Sequence, residues 1–315
     1  MLNPMIPRQI GLVLHPIGMA CSILVLVSII TLTLINRQLA NRMTVRLIAA
    51  IAFTDLLAHV GEFYSVSNAK LPLGSTACEV VIGFRLFART FYCFTNIAIC
   101  FHLYRGLVLL KKSTWRFEIL TWAVTIAMVA IFTGIYAGLG AFTGVKNKKG
   151  CNPGADDKTL NTIFYWIIGL VNVFTIAIGI FTTIVGHRSL NAWINKYADS
   201  RSYKGEDPIK FKKDRRKMAV RSFLYPLSTC ITLPFEGLFF ILNAFNIYIF
   251  EITIPNVLGT GLSGVLTALA FSIDPSTHKA FAAAYAQVRE KLSNRNGFND
   301  NMSESTDTIS LKRAV

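Results

Sequence analysis

Charge is what this sequence has least of. Asp, Glu, Lys and Arg make up 16% of its 315 residues, where soluble domains carry about 25%. Acid is scarcer than base, at 17 Asp and Glu against 32 Lys and Arg, a formal charge of +15. With 53% hydrophobic residues and a mean hydropathy of +0.48, there is too little polar surface to coat a soluble fold. A soluble basic protein is thereby excluded, and with it the nucleic-acid binder that a pI near 9.7 would otherwise suggest.

Chemical motifs are missing as well. No P-loop and no His/Cys cluster at metal-ligand spacing occurs, so neither a metal nor a cofactor is expected. The last apolar stretch has no lysine to hold a retinal Schiff base. Gly261-Leu262-Ser263-Gly264 matches the Gly-x-Ser-Gly of intramembrane serine proteases, but such enzymes take their histidine from a later span, and His278 lies beyond the last one. An enzyme is not expected.

What is present is a series of apolar blocks, at about 10–36, 45–66, 79–110, 119–142, 160–186, 218–245 and 252–273. Each approaches or exceeds the ~20 residues that cross a hydrocarbon layer as helix. The expectation is an all-α membrane protein, a bundle of seven transmembrane helices over 1–292. Basic residues fix its orientation: 24 of the 32 fall on one side, in the connections after spans one, three and five and after span seven. By the positive-inside rule that side is cytoplasmic, which puts the N-terminus outside and the C-terminus inside; a multi-pass protein of the plasma membrane is expected. Residues 1–9 lack a basic n-region, and the apolar run behind them is too long for an h-region, so span one is expected to act as its own insertion signal.

Of six cysteines, Cys78 opens span three and Cys151 lies in the outer loop 144–161. Both fall in oxidising space, so a disulfide between them is expected, with two free thiols as the bland alternative. Asn301-Met302-Ser303, the only glycosylation match, falls on the cytoplasmic side. The basic inner loop His187–Lys217 either meets anionic inner-leaflet lipids or an acidic partner, or reflects topology alone. After Asp274-Pro275, Phe281, Tyr285, Val288 and Leu292 predict a short amphipathic helix over about 276–292, lying on the inner leaflet. The tail 293–315 is polar and expected to be disordered, a place where a kinase would add phosphate as an off-switch or an arrestin-like protein would bind.

Ionisable residues inside spans face a bundle interior. Asp55, His59 and Glu62 share one face of span two, and Arg85, Arg89, Tyr92 and Asn96 one face of span three. At about 1.5 Å per residue, Glu62 lies ~6 Å deep, Arg85 ~10 Å, Asp55 and Arg89 ~16 Å, and Glu236 of span six ~13 Å. Two readings stand. In one, Glu62 and Asp55, with Glu236 as a further partner, neutralise the arginines. In the other, a cavity open to the outside keeps an arginine free to grip a carboxylate or phosphate, and Arg85, Arg89, Glu62, His59 and Glu236 form the ligand site. Pro226 and Pro234 give span six places to hinge.

Seven spans with the N-terminus outside, the two outer cysteines and Asp55 in span two resemble a G-protein-coupled receptor. The rhodopsin-type signatures are absent: Leu103-Tyr104-Arg105 replaces Asp-Arg-Tyr, and neither Cys-Trp-x-Pro nor Asn-Pro-x-x-Tyr occurs. The chain is more similar to the cyclic-AMP-receptor-like and fungal glucose-sensing group, through His102–Arg105, Leu224-Tyr225-Pro226 and Asp274-Pro275. That resemblance covers about 10–292. It implies capture of an extracellular small molecule and activation of a heterotrimeric G protein. Tyr104, Arg105, Lys213, Arg215 and Arg216 would serve coupling, and Asp55, Pro226, Pro234, Asp274 and Pro275 the switch. The competing expectation is a transporter or channel for a small solute or ion, using Asp55, Glu62, Arg85, Arg89 and Glu236, although no internal repeat of the kind carriers show is found.

Overall fold

The computed structural model describes residues 5–37, 43–68, 72, 74–109, 111, 114–144, 151–202, 223–274, 277–278 and 280–289, apart from the side chains of 43, 44, 107 and 197–202. Among the described residues there is no strand. The helices are α1 (Met5–Ile35), α2 (Met43–Ser67), α3 (Thr76–Leu107), α4 (Trp115–Gly138), α5 (Lys158–Ser202), α6 (Leu224–Thr232), α7 (Pro234–Ala244) and α8 (Thr253–Ile273). A 3-10 turn, Phe250–Ile252, leads into α8. Seven helical stretches are long and apolar enough to cross a membrane, α6 and α7 together forming the sixth. The protein is thus a multi-pass helical membrane protein, as its composition requires.

Local chemistry explains where helices begin. Ser75 caps α3, its Oγ accepting from the Cys78 N–H at 3.3 Å, and Thr114 caps α4 by accepting from Phe117 at 3.4 Å. Asp157 does the same for α5, accepting from the Leu160 N–H at 2.9 Å. Each side chain satisfies one of the amides that a helix start leaves without an intrahelical acceptor.

The spans close into a ring. α1 packs on α2 and α8, α2 on α3, α3 on α5, α5 on α6 and α7, and these on α8. α3 is buried over more of its apolar length than any other span, and α4, packed on α3, over less. The two larger apolar cores among the described residues lie at opposite ends of the ring. One, at the end carrying Cys78 and Cys151, gathers Ile82, Tyr136, Phe164, Tyr165 and Phe240. The other lies towards the opposite end, where Ile48, Ile51, Ile99, Tyr225 and Phe271 meet. Outside the ring, Leu24, Val27, Ile30 and Leu34 are more than half exposed, as a lipid-facing surface is.

The structure differs from the sequence reading in three places. α1 starts at Met5, so Arg8 belongs to the first helix and donates from Nε to the Val66 carbonyl at 3.2 Å. α5 runs to Ser202, through the first half of the expected inner loop. Leu190, Trp193 and Ile194 give that extension an apolar face, which packs on Phe223 at the entrance to α6. Finally, the helix expected after span seven is present over 280–289, and it docks on the bundle as well, with Ala280 and Ala284 buried against Leu32 and Phe281 against Phe271. Tyr285, expected on its apolar stripe, is 71% exposed. Small alanines set this docking face, because they let the helix approach α1 closely. Lys213, Arg215, Arg216, Pro275, Leu292 and the tail 293–315 lie outside the described residues.

Candidate functional site

The charged layer sits inside the ring below the disulfide. Cys78 and Cys151 are bonded, which fastens the 151–157 segment to the top of α3. Arg85, two turns further along α3, reaches α2 in bidentate fashion: Nε donates to Glu62 Oε1 at 3.0 Å and Nη2 to Oε2 at 2.7 Å. Its Nη1 donates to Ser65 Oγ at 3.0 Å and to the Cys151 carbonyl at 3.4 Å. The guanidinium therefore ties together α2, α3 and the disulfide-bonded loop, using the planar fork that Lys lacks. It is partly open, with 17% and 32% of the two side chains exposed.

Arg89 is paired differently from the expectation. Asp55 is at the matching depth, but Arg89 turns to the far side of α3 and donates from Nη2 to Glu236 Oε2 on α7. This pair is more enclosed than the first, at 11% and 9% exposed. The Arg89 guanidinium also lies 5.2 Å from the Tyr92 ring centroid, and its Nε has no hydrogen-bond partner. One turn below, Tyr92 OH meets Thr232 Oγ1 at 3.3 Å, and the Cys93 thiol donates to Asn172 Oδ1 of α5 at 3.2 Å. α3 thus holds α5 and both halves of the sixth span through polar side chains.

These contacts surround a break. Pro234 has no N–H to donate to the Cys230 carbonyl, and it stands as the first residue of α7, immediately after Leu233. Pro226, the other hinge candidate, lies in the first turn of α6, where an N–H has no intrahelical acceptor to lose. The interruption of the sixth span therefore belongs to Pro234, and Glu236 sits two residues from it.

Asp55 and His59 face elsewhere. Asp55, fully buried, accepts from Thr267 Oγ1 of α8 at 2.6 Å through Oδ2, while Oδ1 has no partner. His59 fills the meeting point of α1, α2 and α8. The Gly264 N–H donates to its Nε2 at 3.1 Å. An amide can only donate, so Nε2 carries a lone pair and the ring proton is on Nδ1. Nδ1 in turn donates to His15 Nδ1 at 3.2 Å. This arrangement needs glycine. A Cβ at Gly18 would come within 2.3 Å of the His59 ring, and one at Gly264 within 2.5 Å of the Gly18 carbonyl. Ser263 Oγ lies 3.3 Å from the same Nε2, so the Gly-x-Ser-Gly segment does meet a histidine, one from an earlier span whose lone pair already accepts from Gly264.

At the opposite end, Tyr104 stacks on Phe181 of α5, with centroids 6.1 Å apart, and Arg105 lies 3.9 Å over the Phe117 ring of α4. Nearby, Arg46 of α2 holds Glu118 of α4 bidentately, at 2.7 and 2.6 Å. Asp274 ends α8 and accepts from Thr277 at 3.2 Å.

The structure thus brings Arg85 together with Glu62, and Arg89 with Glu236, and it separates Asp55 and His59 from both pairs. Sequence reading missed His15, Thr267, Thr232 and Asn172, and met Ser263 only as part of a protease-like motif. His15 carried a signal, as an ionisable group inside an apolar span; the others are uncharged and common in membrane helices. Compared with known proteins, the chain matches no protein-family model, and no curated protein matches its sequence.

Proposed function

We propose that the protein is a seven-span receptor of the cyclic-AMP-receptor-like kind, taking a small molecule from outside and activating a heterotrimeric G protein at the cytoplasmic side of the plasma membrane. The seven spans fit a receptor or a transporter alike. The observation that favours the receptor is the Arg89–Glu236 pair, which joins the central helix to the sixth span two residues from its proline break. A ligand that offers either partner a better bond releases α7, and α6, which leads out of the basic inner segment, moves with it. A ligand shifts this equilibrium only by its differential affinity for the two states. The more exposed Arg85–Glu62 pair lies at the mouth and takes the first contact, with an anionic group as the natural competitor of Glu62.

The 24 basic residues that the sequence assigns to one side support the orientation, and Tyr104 and Arg105, with Lys213, Arg215 and Arg216 beyond α5 in the chain, are the surface offered to the G protein. Serines and threonines of the tail would then answer to a kinase and an arrestin-like protein. Exposing the purified receptor and G protein to a panel of nucleotides, carboxylates and sugars, with G-protein dissociation and solute flux read in parallel, tests the reading. Dissociation without flux supports it, and flux without dissociation replaces it with a carrier. The carrier has one observation in its favour: Asp55 Oδ1, Arg89 Nε, Thr95 Oγ1 and Asn172 Nδ2 are buried in the span interior without hydrogen-bond partners.

A further inference from the structure

A cavity of about 650 Å³ opens between α3, α4 and α5. It belongs to neither ion pair nor to the histidine junction, and its wall is almost wholly apolar: Phe94 and Phe101 from α3, Leu120 and Val124 from α4, Phe174 and Phe181 from α5. Thr121 and Thr125 also line it, but their hydroxyls donate to carbonyls of α4 itself, at 2.9 Å each. Tyr104 and Thr182 complete the polar part of the lining, so the wall offers a ligand little hydrogen bonding. It exists because α4 packs on α3 and leaves the side towards α5 open.

Length and charge narrow the occupant. On α3 the lining runs from Phe94 to Tyr104, ten residues, or about 15 Å of helix. That is half of the ~30 Å hydrocarbon layer, so the groove has the length of one leaflet. It ends at the level of Tyr104 and Phe117, where basic residues gather. Arg105 lies over Phe117 with its Nε unpartnered, and Lys111 and Arg116 are exposed in the α3–α4 connection and the first turn of α4. The acid of this stretch, Glu118, is buried and engaged by Arg46 of α2, so it leaves the rim positive. A hydrocarbon chain the length of one leaflet with a negative head at its end fits this shape.

We infer that the groove between α3, α4 and α5 binds an anionic phospholipid of the leaflet at the basic end, its acyl chain along Phe101, Leu120 and Val124 and its phosphate at Arg105 and Arg116. A sterol would fill the wall and leave the cationic rim without a partner. Because Tyr104 and Phe181 form both the groove wall and the inner contact of α3 with α5, an occupied groove props that contact. The inference stands apart from the receptor reading, since a carrier of this architecture would hold the same lipid.

The full chain, delipidated in detergent and titrated with phosphatidylserine, phosphatidylcholine or ergosterol under native mass spectrometry, provides the test. Wild type is expected to hold one phosphatidylserine at least ten-fold more tightly than phosphatidylcholine. Val124→Trp fills the groove from a position already half exposed, and loses that bound lipid. Arg116→Glu keeps the groove and brings phosphatidylserine down to the phosphatidylcholine level, each basic group near a headgroup being worth about five-fold. Arg289→Glu, on the far side of the bundle, leaves the preference intact. Phosphatidylserine raises the thermal midpoint of wild type and not of Val124→Trp, whose own unchanged midpoint shows that it is folded. Equal binding of the two phospholipids by wild type, preferential binding of ergosterol, or loss of preference in Arg289→Glu as large as in Arg116→Glu would overturn the inference.

Discussion

Two parts of the bundle interior are built on opposite principles. Where α1, α2 and α8 meet, backbones approach through Gly18 and Gly264, and His59 is held by an amide that cannot turn away. Where α3 meets α5 and the sixth span, the polar contacts are made by side chains around a proline break: Arg89 with Glu236, Tyr92 with Thr232, Cys93 with Asn172. Backbone contact leaves little room for sliding, since close-packed interiors resist continuous deformation. Side-chain contact across a broken helix can be exchanged for another partner. In the proposed receptor the first region would serve as the frame and the second as the part that moves.

The contrast is broken most severely at the frame. Gly264→Val adds atoms where even a Cβ meets the Gly18 carbonyl at 2.5 Å, and backbone has nowhere to shift. Overpacking costs about 1–3 kcal/mol or more, and this site belongs at or above the upper end. The expected result is loss of monodisperse protein on size-exclusion chromatography; normal yield would mean that α1 and α8 are not locked here.

Next comes the side-chain contact with the sixth span. Arg89→Leu leaves Glu236 charged and alone in the interior, a loss of about 3–5 kcal/mol, and Glu236→Leu has a similar effect. The double variant is expected to regain most of the thermal stability, because both charges have gone together. If the double variant were as unstable as the sum of the two, the pair would not be acting as a unit.

Reducing the Cys78–Cys151 bond, or replacing both residues by serine, is expected to cost about 2–4 kcal/mol, read as a lower thermal midpoint. The effect is an end-of-bundle one, and spin-label distances at the opposite end should be unchanged.

The smallest effect belongs to Glu62→Gln. Its pair is partly exposed, and Arg85 keeps Ser65 and the Cys151 carbonyl. A change of about 1 kcal/mol or less is expected, against the several expected for Glu236. A larger loss at Glu62 than at Glu236 would reverse the ranking of the two pairs.

The architecture was legible because a membrane imposes it. Twenty apolar residues in a row have one economical solution, and charge then falls at the ends. The disulfide was legible for a similar reason, since topology left only two cysteines together outside the hydrocarbon. Depth along a helix could be read from residue count, and it placed Arg85 beside Glu62. Rotation could not be read so well. Asp55 and Glu236 both lay within reach of Arg89 by depth, and the choice was made by how α3 is turned relative to α2 and α7. Span two shows the same limit: i, i+4, i+7 spacing put Asp55, His59 and Glu62 on one face, but that face is wide enough to meet α8 and α1 at one level and α3 at another. The α5 extension was readable in Leu190, Trp193 and Ile194, and was obscured by the surrounding basic residues. The groove between α3, α4 and α5 had no sequence signal, because a gap is a property of packing.

The role of Arg89–Glu236 in holding the sixth span is tested most directly by a distance. Spin labels at Leu227 on α6 and Trp115 at the start of α4, both exposed, are placed in a background with Cys21 and Cys230 replaced by alanine, and measured by pulsed electron resonance in nanodiscs. With Glu236 intact a single narrow distribution is expected. In Glu236→Gln a second, displaced population should appear, while Glu62→Gln keeps the single one. An unchanged distribution in Glu236→Gln, in protein that remains folded, would contradict the assignment of the pair as the latch on the sixth span.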